Sequence, residues 1–374
     1  MKTKTILIAL AALVVGGAAN ADEAVVPVSA MAGPIEVRVD PTFELIGVVC
    51  HLAGYEEYNL SKKLKERDAV REWFGSYTNH PTVKAFANYR KKFYIAYDAP
   101  ASLAIHLKPD LSGYLTSLDP WPERLGYRWK NADLEKVRMQ LVEFRDASRF
   151  GEWYASRTEI YSTRVGETVK QLGELRLPEW ISRYYGSQKH KSRLRVVVTR
   201  LPYSHNFGVS AQVSDDEVLY SPVISAETVV YVLPHEFSHP FTGAPGERIL
   251  REVEAKSPDA FTGLKKEFGK VKDLMVRQAY GIMSGWWRES FNRANEIRYF
   301  RACLPTFEDR SKKYMYTDMV ECCLELNESR GFALVRPLYN LLDKYEADRE
   351  KYKTLDDFVP VVVDYLIERY SKTE

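Results

Sequence analysis

The segment Pro234-His235-Glu236-Phe237-Ser238-His239-Pro240 carries the residues best suited to chemistry. Its core is H-E-x-x-H. Over one helical turn His235 and His239 project from the same face, so both imidazoles can reach one ion, and neutral imidazole suits Zn2+. Glu236 points to the side, where a carboxylate can hold a zinc-activated water and take its proton. The chain has only 7 His, and residue frequencies give on the order of one such match per hundred chains of this composition. The plain alternative is a pair of core-edge histidines in an apolar segment. A β-rich stretch before the motif, and no other evident activity in an exported chain, weigh against it.

Two prolines bracket the motif. Pro234 fits if the helix begins there, because the first turn has no internal partner for its N–H. Pro240 disfavours helical ψ at His239 and is expected to kink or end the helix immediately after the second histidine. One turn is enough for the two imidazoles to converge.

Catalytic zinc usually takes three protein ligands and a water. No His follows His239, and Gly243 is misplaced for the extended H-E-x-x-H-x-x-G-x-x-H spacing. By elimination a third side chain would be a carboxylate. Residues 287–296 offer Glu289 and Glu296 on one helical face. Seven residues span about 10 Å of helix axis, so one ion cannot take both. Glu289 also has a plainer use, an i,i+4 salt bridge with Arg293.

H-E-x-x-H with a downstream Glu resembles the gluzincin branch of zinc metallopeptidases, to which thermolysin belongs. Nearly the whole chain after its leader is similar to a family of secreted bacterial proteins known only as a domain of unknown function. The likeness lies in Asp40-Pro41-Thr42-Phe43-Glu44-Leu45-Ile46, in Leu52-Ala53-Gly54-Tyr55-Glu56-Glu57-Tyr58-Asn59 and in His235-Glu236-Phe237-Ser238-His239-Pro240. It continues in Glu289 with Arg293-Ala294, and in Tyr345-Glu346-Ala347-Asp348-Arg349 with Tyr352 and Phe358. The resemblance implies one integrated zincin-like unit and selects Glu289 as the third ligand. Glu296 would then be an outer or solvated carboxylate, whose loss costs metal affinity only a few-fold.

These residues need a scaffold. The chain has 374 residues, 45% hydrophobic and 13% aromatic, enough for a substantial core. With 53 basic and 51 acidic side chains its net charge of +2 leaves no electrostatic footprint for nucleic acid. Lys2 and Lys4, an apolar run over 6–15 and Ala19-Asn20-Ala21 read as a signal peptide, residues 1–21. No later stretch is apolar for long enough to span a membrane. The expectation is a soluble exported protein, periplasmic or extracellular, beginning at Asp22. Four Cys cannot staple such a chain, and Cys50, Cys303, Cys322 and Cys323 read as small buried hydrophobes.

Alternation over 35–40 predicts a strand. Residues 43–148 are mostly helical in pattern, with turns at His80-Pro81, Asp98-Ala99-Pro100 and Asp119-Pro120. Leu134, Val137, Leu141 and Phe144 mark a helix that Asn131 or Asp133 caps. A long helix is expected over 151–175, a basic turn over 189–195, strands over 194–199, 207–213 and 218–224, and helices over 283–303 and 358–370. The fold class is α+β: a helix-rich zincin-like fold with a small sheet preceding the active-site helix. One unit over 22–374 is expected, with a helix-rich part (22–190), the sheet and metal site (191–302) and a helical end (303–374).

The expected function is a secreted Zn2+-dependent hydrolase, most simply a metallopeptidase acting on a peptide or protein substrate. Zinc ligands would be His235, His239 and Glu289, with Glu236 catalytic. Strand 207–213 could pair with substrate backbone, and Tyr203 and His205 are candidate oxyanion donors. The competing reading is a non-catalytic secreted protein that uses the same scaffold to bind a protein or glycan.

Overall fold

The computed structural model describes residues 25–59, 64–186, 191–199, 206–224, 229–278, 280–311 and 319–371. The expected signal peptide, and Tyr203 and His205, lie outside them. Five strands form one mixed sheet: β1 (Val28–Ala32), β2 (Ile35–Val39), β3 (Lys191–Val198), β4 (Phe207–Ser214) and β5 (Glu217–Ile224), in the order β1-β2-β3-β5-β4. β1 and β2 are antiparallel, with Ala30 opposite Val37, while β2 and β3 are parallel, with Val37 opposite Val196. β1 carries no strong alternation and went unforeseen. Residues 191–195, read as part of a basic turn, open β3. Arg195 is at home in a strand because Glu36 of β2 takes its charge at 2.8 Å. The rest is helical, so the α+β expectation holds.

The chain divides into two compact units. The first holds residues 1–170, 195–213 and 223–227. Its helices are α1 (Pro41–Leu52), α2 (Leu64–Phe74), α3 (Pro81–Phe93), α4 (Asp98–His106), α5 (Leu134–Ala147), α6 (Phe150–Ala155) and most of α7 (Thr158–Leu175). α1 begins where Asp40 accepts from the Thr42 amide at 2.9 Å and Pro41 fills the first turn. It is buried from Pro41 to His51, as its nearly unbroken apolar sequence requires. Asp133 caps α5 through the Lys136 amide, as its position suggests. The single helix expected over 151–175 is two, α6 and α7, parted at Ser156 and Arg157.

The second unit holds residues 171–194, 214–222 and 228–374. It contains the end of α7 and then α8 (Leu177–Tyr185), α9 (Val229–Glu236), α10 (His239–Lys256), α11 (Pro258–Arg277), α12 (Met283–Ser311), α13 (Met319–Ser329), α14 (Val335–Ala347) and α15 (Leu355–Tyr370). α10 packs on α12 and α15, and α12 packs on α14. α12 is held from several sides. Trp287 Nε1 donates to Gly246 O of α10 at 2.8 Å, and Tyr299 donates to Leu175 O at 2.9 Å. Tyr184 of α8 donates to Asn295 Oδ1 at 2.9 Å, and the buried Arg298 pairs with Asp343 and Glu346 of α14. A helix tied at that many points presents its polar side chains with little freedom.

Cys50 and Cys303 are buried, and Cys322 and Cys323 half-buried. No described helix is long and apolar enough to cross a membrane.

Candidate metal centre

The H-E-x-x-H segment is not one regular helix. α9 starts at Val229, ahead of the expected Pro234, and takes that proline inside it. It ends at Glu236, and α10 begins at His239 with Pro240 in its first turn. The break thus falls between the two histidines rather than after the second. The backbone still turns right-handed through it, with Ser238 at φ −78°, ψ −30°. Ser238 N–H donates to His235 O at 3.1 Å, a tightened turn, which leaves Pro234 O free for the Ser238 hydroxyl at 2.7 Å. Tyr185 of α8 donates to that same hydroxyl at 2.7 Å, and so fixes the break from outside.

Across this turn His235 Nε2 and His239 Nε2 lie 3.2 Å apart. From α12, Glu289 Oε2 stands 3.5 Å from His235 Nε2, and Oε1 stands 3.5 Å from His239 Nε2. Two donors about 2.0–2.1 Å from one ion at the tetrahedral angle stand roughly 3.3–3.4 Å apart. The imidazole pair stands close to that edge length, Glu289 faces the two rings through its two oxygens, and with one atom from each residue within 4.8 Å of the others this group could hold a metal ion. Glu289 Oε2 is buried and makes no hydrogen bond, a state that an ion on that oxygen would relieve. The His239 side chain is 30% exposed, which leaves the site open to solvent on that side.

The plain alternative for Glu289 is also present: Arg293 Nη2 lies 3.3 Å from Oε2. The two uses coexist, since the same carboxylate faces both imidazoles and the guanidinium. Glu296, two turns further along α12, does not face the ion position. Its Oε2 takes the opposite nitrogen of His235, Nδ1, at 2.9 Å. A carboxylate there keeps the proton on Nδ1 and turns the Nε2 lone pair toward Glu289 and His239. Between them, Asn292 donates from Nδ2 to His235 O at 3.1 Å and accepts from Thr242 at 2.6 Å. Glu236 lies beside the three donors, and the Tyr220 hydroxyl of β5 donates to its Oε2 at 3.2 Å.

The charges interlock. Burial works against the imidazolium of His235, but the charge and hydrogen bond of Glu296, joined by the charge of Glu289, push it up to about 8. Burial and the neighbouring His235 push His239 down to about 3. Burial tends to raise Glu289, yet His235, His239 and Arg293 together hold it below the ordinary carboxylate range. Glu236 goes the other way: burial raises it, and Glu289 adds to the effect.

The structure therefore gathers His235, Glu236, His239 and Glu289 at one place. Asn292 and Tyr220 were missed. Neither had a clear signal: Asn292 stands three after Glu289 on a helix rich in polar residues, and Tyr220 lies on a strand before the motif. In class, this is a helix-rich α+β protein with a His-His-carboxylate cluster able to hold a metal ion. The chain belongs to the family described as domain of unknown function DUF4932, whose family model matches residues 35–365. No curated protein and no solved structure matches it.

Proposed function

We propose that this protein is an exported zinc-dependent hydrolase, most simply a metallopeptidase of gluzincin type. His235, His239 and Glu289 hold Zn2+, and Glu236 handles the proton. The reading is carried by one observation: two imidazole nitrogens and a buried carboxylate converge at 3.2–3.5 Å, with Glu236 beside them. Three protein donors of this kind, with a fourth position left over, are the pattern of a catalytic rather than a structural zinc site. When bound, zinc supplies Lewis acidity toward a carbonyl oxygen and lowers the pKa of water.

The chain's own residues supply the rest. Glu236 takes a proton from the attacking water and delivers it to the leaving amine; burial raises its hold on that proton in transit. Tyr220 orients the Glu236 carboxylate. Glu296 and Asn292 hold His235 so that its Nε2 already faces the ion position. Peptide or protein is the substrate class, and the signal-like residues 1–21 support export.

Zinc content after purification without added metal, together with a peptide-library digest and a chelator control, tests this reading. The expected result is near-stoichiometric zinc and chelator-sensitive cleavage, with Glu236→Gln keeping the zinc and losing the cleavage. A parent protein that holds zinc and cleaves nothing would overturn the hydrolase reading in favour of a binding protein built on the same site.

A further inference from the structure

Linked to the metal cluster through the Phe332 ring and Arg293, an arginine is held in place without an ion pair among the described residues. Arg330 lies in the turn between α13 and α14. Its Nε donates to Gln278 Oε1 at 2.9 Å, and Gln278 Nε2 donates back to Arg330 O at 2.8 Å. Arg298 and Arg336 of the same unit are met by carboxylates, Arg298 by Asp343 and Glu346, Arg336 by Glu321 and Glu328. Arg330 forms no ion pair with a described residue. An amide orients the guanidinium and leaves its charge, and its terminal N–H groups, to something else.

The turn is built to keep it there. Gly331 sits at φ +91°, a conformation that favours glycine, and its carbonyl accepts from Trp286 Nε1 at 2.9 Å. Phe332 N–H donates to Asn327 O at 2.9 Å, and the Phe332 ring is fully buried. Arg330 lies over that ring, 5.8 Å from its centroid, and Arg293 over the same ring at 4.7 Å. Arg293 in turn touches the candidate ligand Glu289. Two guanidinium groups around one phenyl ring repel each other, and burial together with Arg293 lowers the proton affinity of Arg330. Glu289 answers the charge of Arg293 directly, whereas no described carboxylate forms an ion pair with Arg330.

We infer that Arg330 is a substrate-recognition residue and that the substrate of this site carries a carboxylate, which the free edge of the Arg330 guanidinium takes as a two-pronged ion pair. The inference rests on the metal-site reading above and adds a substrate class to it. A planar guanidinium matches a carboxylate in geometry, and a pre-oriented one loses little side-chain entropy on binding. The carboxylate can be a chain terminus or an acidic side chain; the chemistry at Arg330 is the same.

The test uses zinc-loaded full-length protein carrying Glu236→Gln, so that peptides bind without turnover. Three pools of random peptides lacking Asp and Glu are compared by equilibrium dialysis: amidated, free C-terminal carboxylate, and amidated with one added Asp. At least one carboxylate pool is expected to bind about tenfold or more above the amidated pool, and which one identifies the source. Adding Arg330→Gln should erase that preference with zinc content unchanged, and Arg330→Lys should keep part of it. Equal binding of all three pools, or a preference that survives Arg330→Gln, overturns the inference. Failure of the parent protein to cleave any pool would defeat the hydrolase reading while leaving this binding comparison decisive.

Discussion

Removing the Glu296 carboxylate tests the logic of the site most directly, because that group touches His235 from behind and not the ion position. Glu296 Oε2 is 2.9 Å from His235 Nδ1. On sequence grounds its loss costs only a few-fold in affinity. The observed contact raises that expectation, since a carboxylate behind a metal-binding imidazole typically contributes about 10–100-fold in metal affinity. At 1.4 kcal/mol per tenfold, this is about 1.4–2.8 kcal/mol. Glu296→Ala should weaken zinc binding within that range. Glu296→Gln, whose amide oxygen still accepts from Nδ1, should lose less than about tenfold. Glu289→Ala should be weaker than either, because the ion loses a ligand outright, and His235→Ala or His239→Ala should abolish stoichiometric zinc. Competition with a chromogenic chelator measures the whole set, with far-ultraviolet circular dichroism checking the fold of each variant. A folded Glu296→Ala protein with parental affinity would refute the positioning argument, and one weaker than Glu289→Ala would exchange the two roles.

Zinc binding should also release protons in a particular pattern. His235 is pushed up to about 8 and His239 down to about 3, so at pH 7 only His235 has a proton to displace. Calorimetry in buffers of different ionisation enthalpy should therefore show close to one proton released at pH 7, with affinity rising up to about pH 8 and flat above it; no release at pH 7 would contradict the charge arrangement. The proposed export predicts a mature protein that begins at Asp22, and N-terminal sequencing that finds residues 1–21 retained would remove the case for a cleaved leader.

Much of the local structure was legible because local rules decide it. The Asp133 cap of α5 and the alternation of β2 each depend on a few neighbouring residues, while the Asp40-Pro41 start of α1 lies ahead of the helical pattern read from residue 43. The misjudged segments share a cause. β1 and the start of β3 are strands because partner strands satisfy their backbones and, at Arg195, their charge. Pro234 lies inside a helix rather than at its start because the preceding residues were already helical. The helix break before His239 depends on Pro240, which the sequence shows, and on Tyr185 bracing Ser238 from 53 residues away, which it does not.

For the site itself, the sequence determined its chemistry. Imidazole, imidazole and carboxylate are side-chain types, and the four-residue spacing brings the two histidines together over any right-handed turn. What it left open was which acid joins them and what the other acid does. Glu289 and Glu296 share a helix, and their own segment cannot say which of them faces a histidine from in front and which from behind. The packing of α12 decided that: held by Trp287 on Gly246, Tyr184 on Asn295 and Arg298 on α14, the helix has one rotation and one height relative to α9 and α10. At that setting Glu289 meets Nε2 and Glu296 meets Nδ1 of the same ring. Contacts of this kind span some sixty residues of chain, as from His235 to Glu296, and exist only once the core has closed around them.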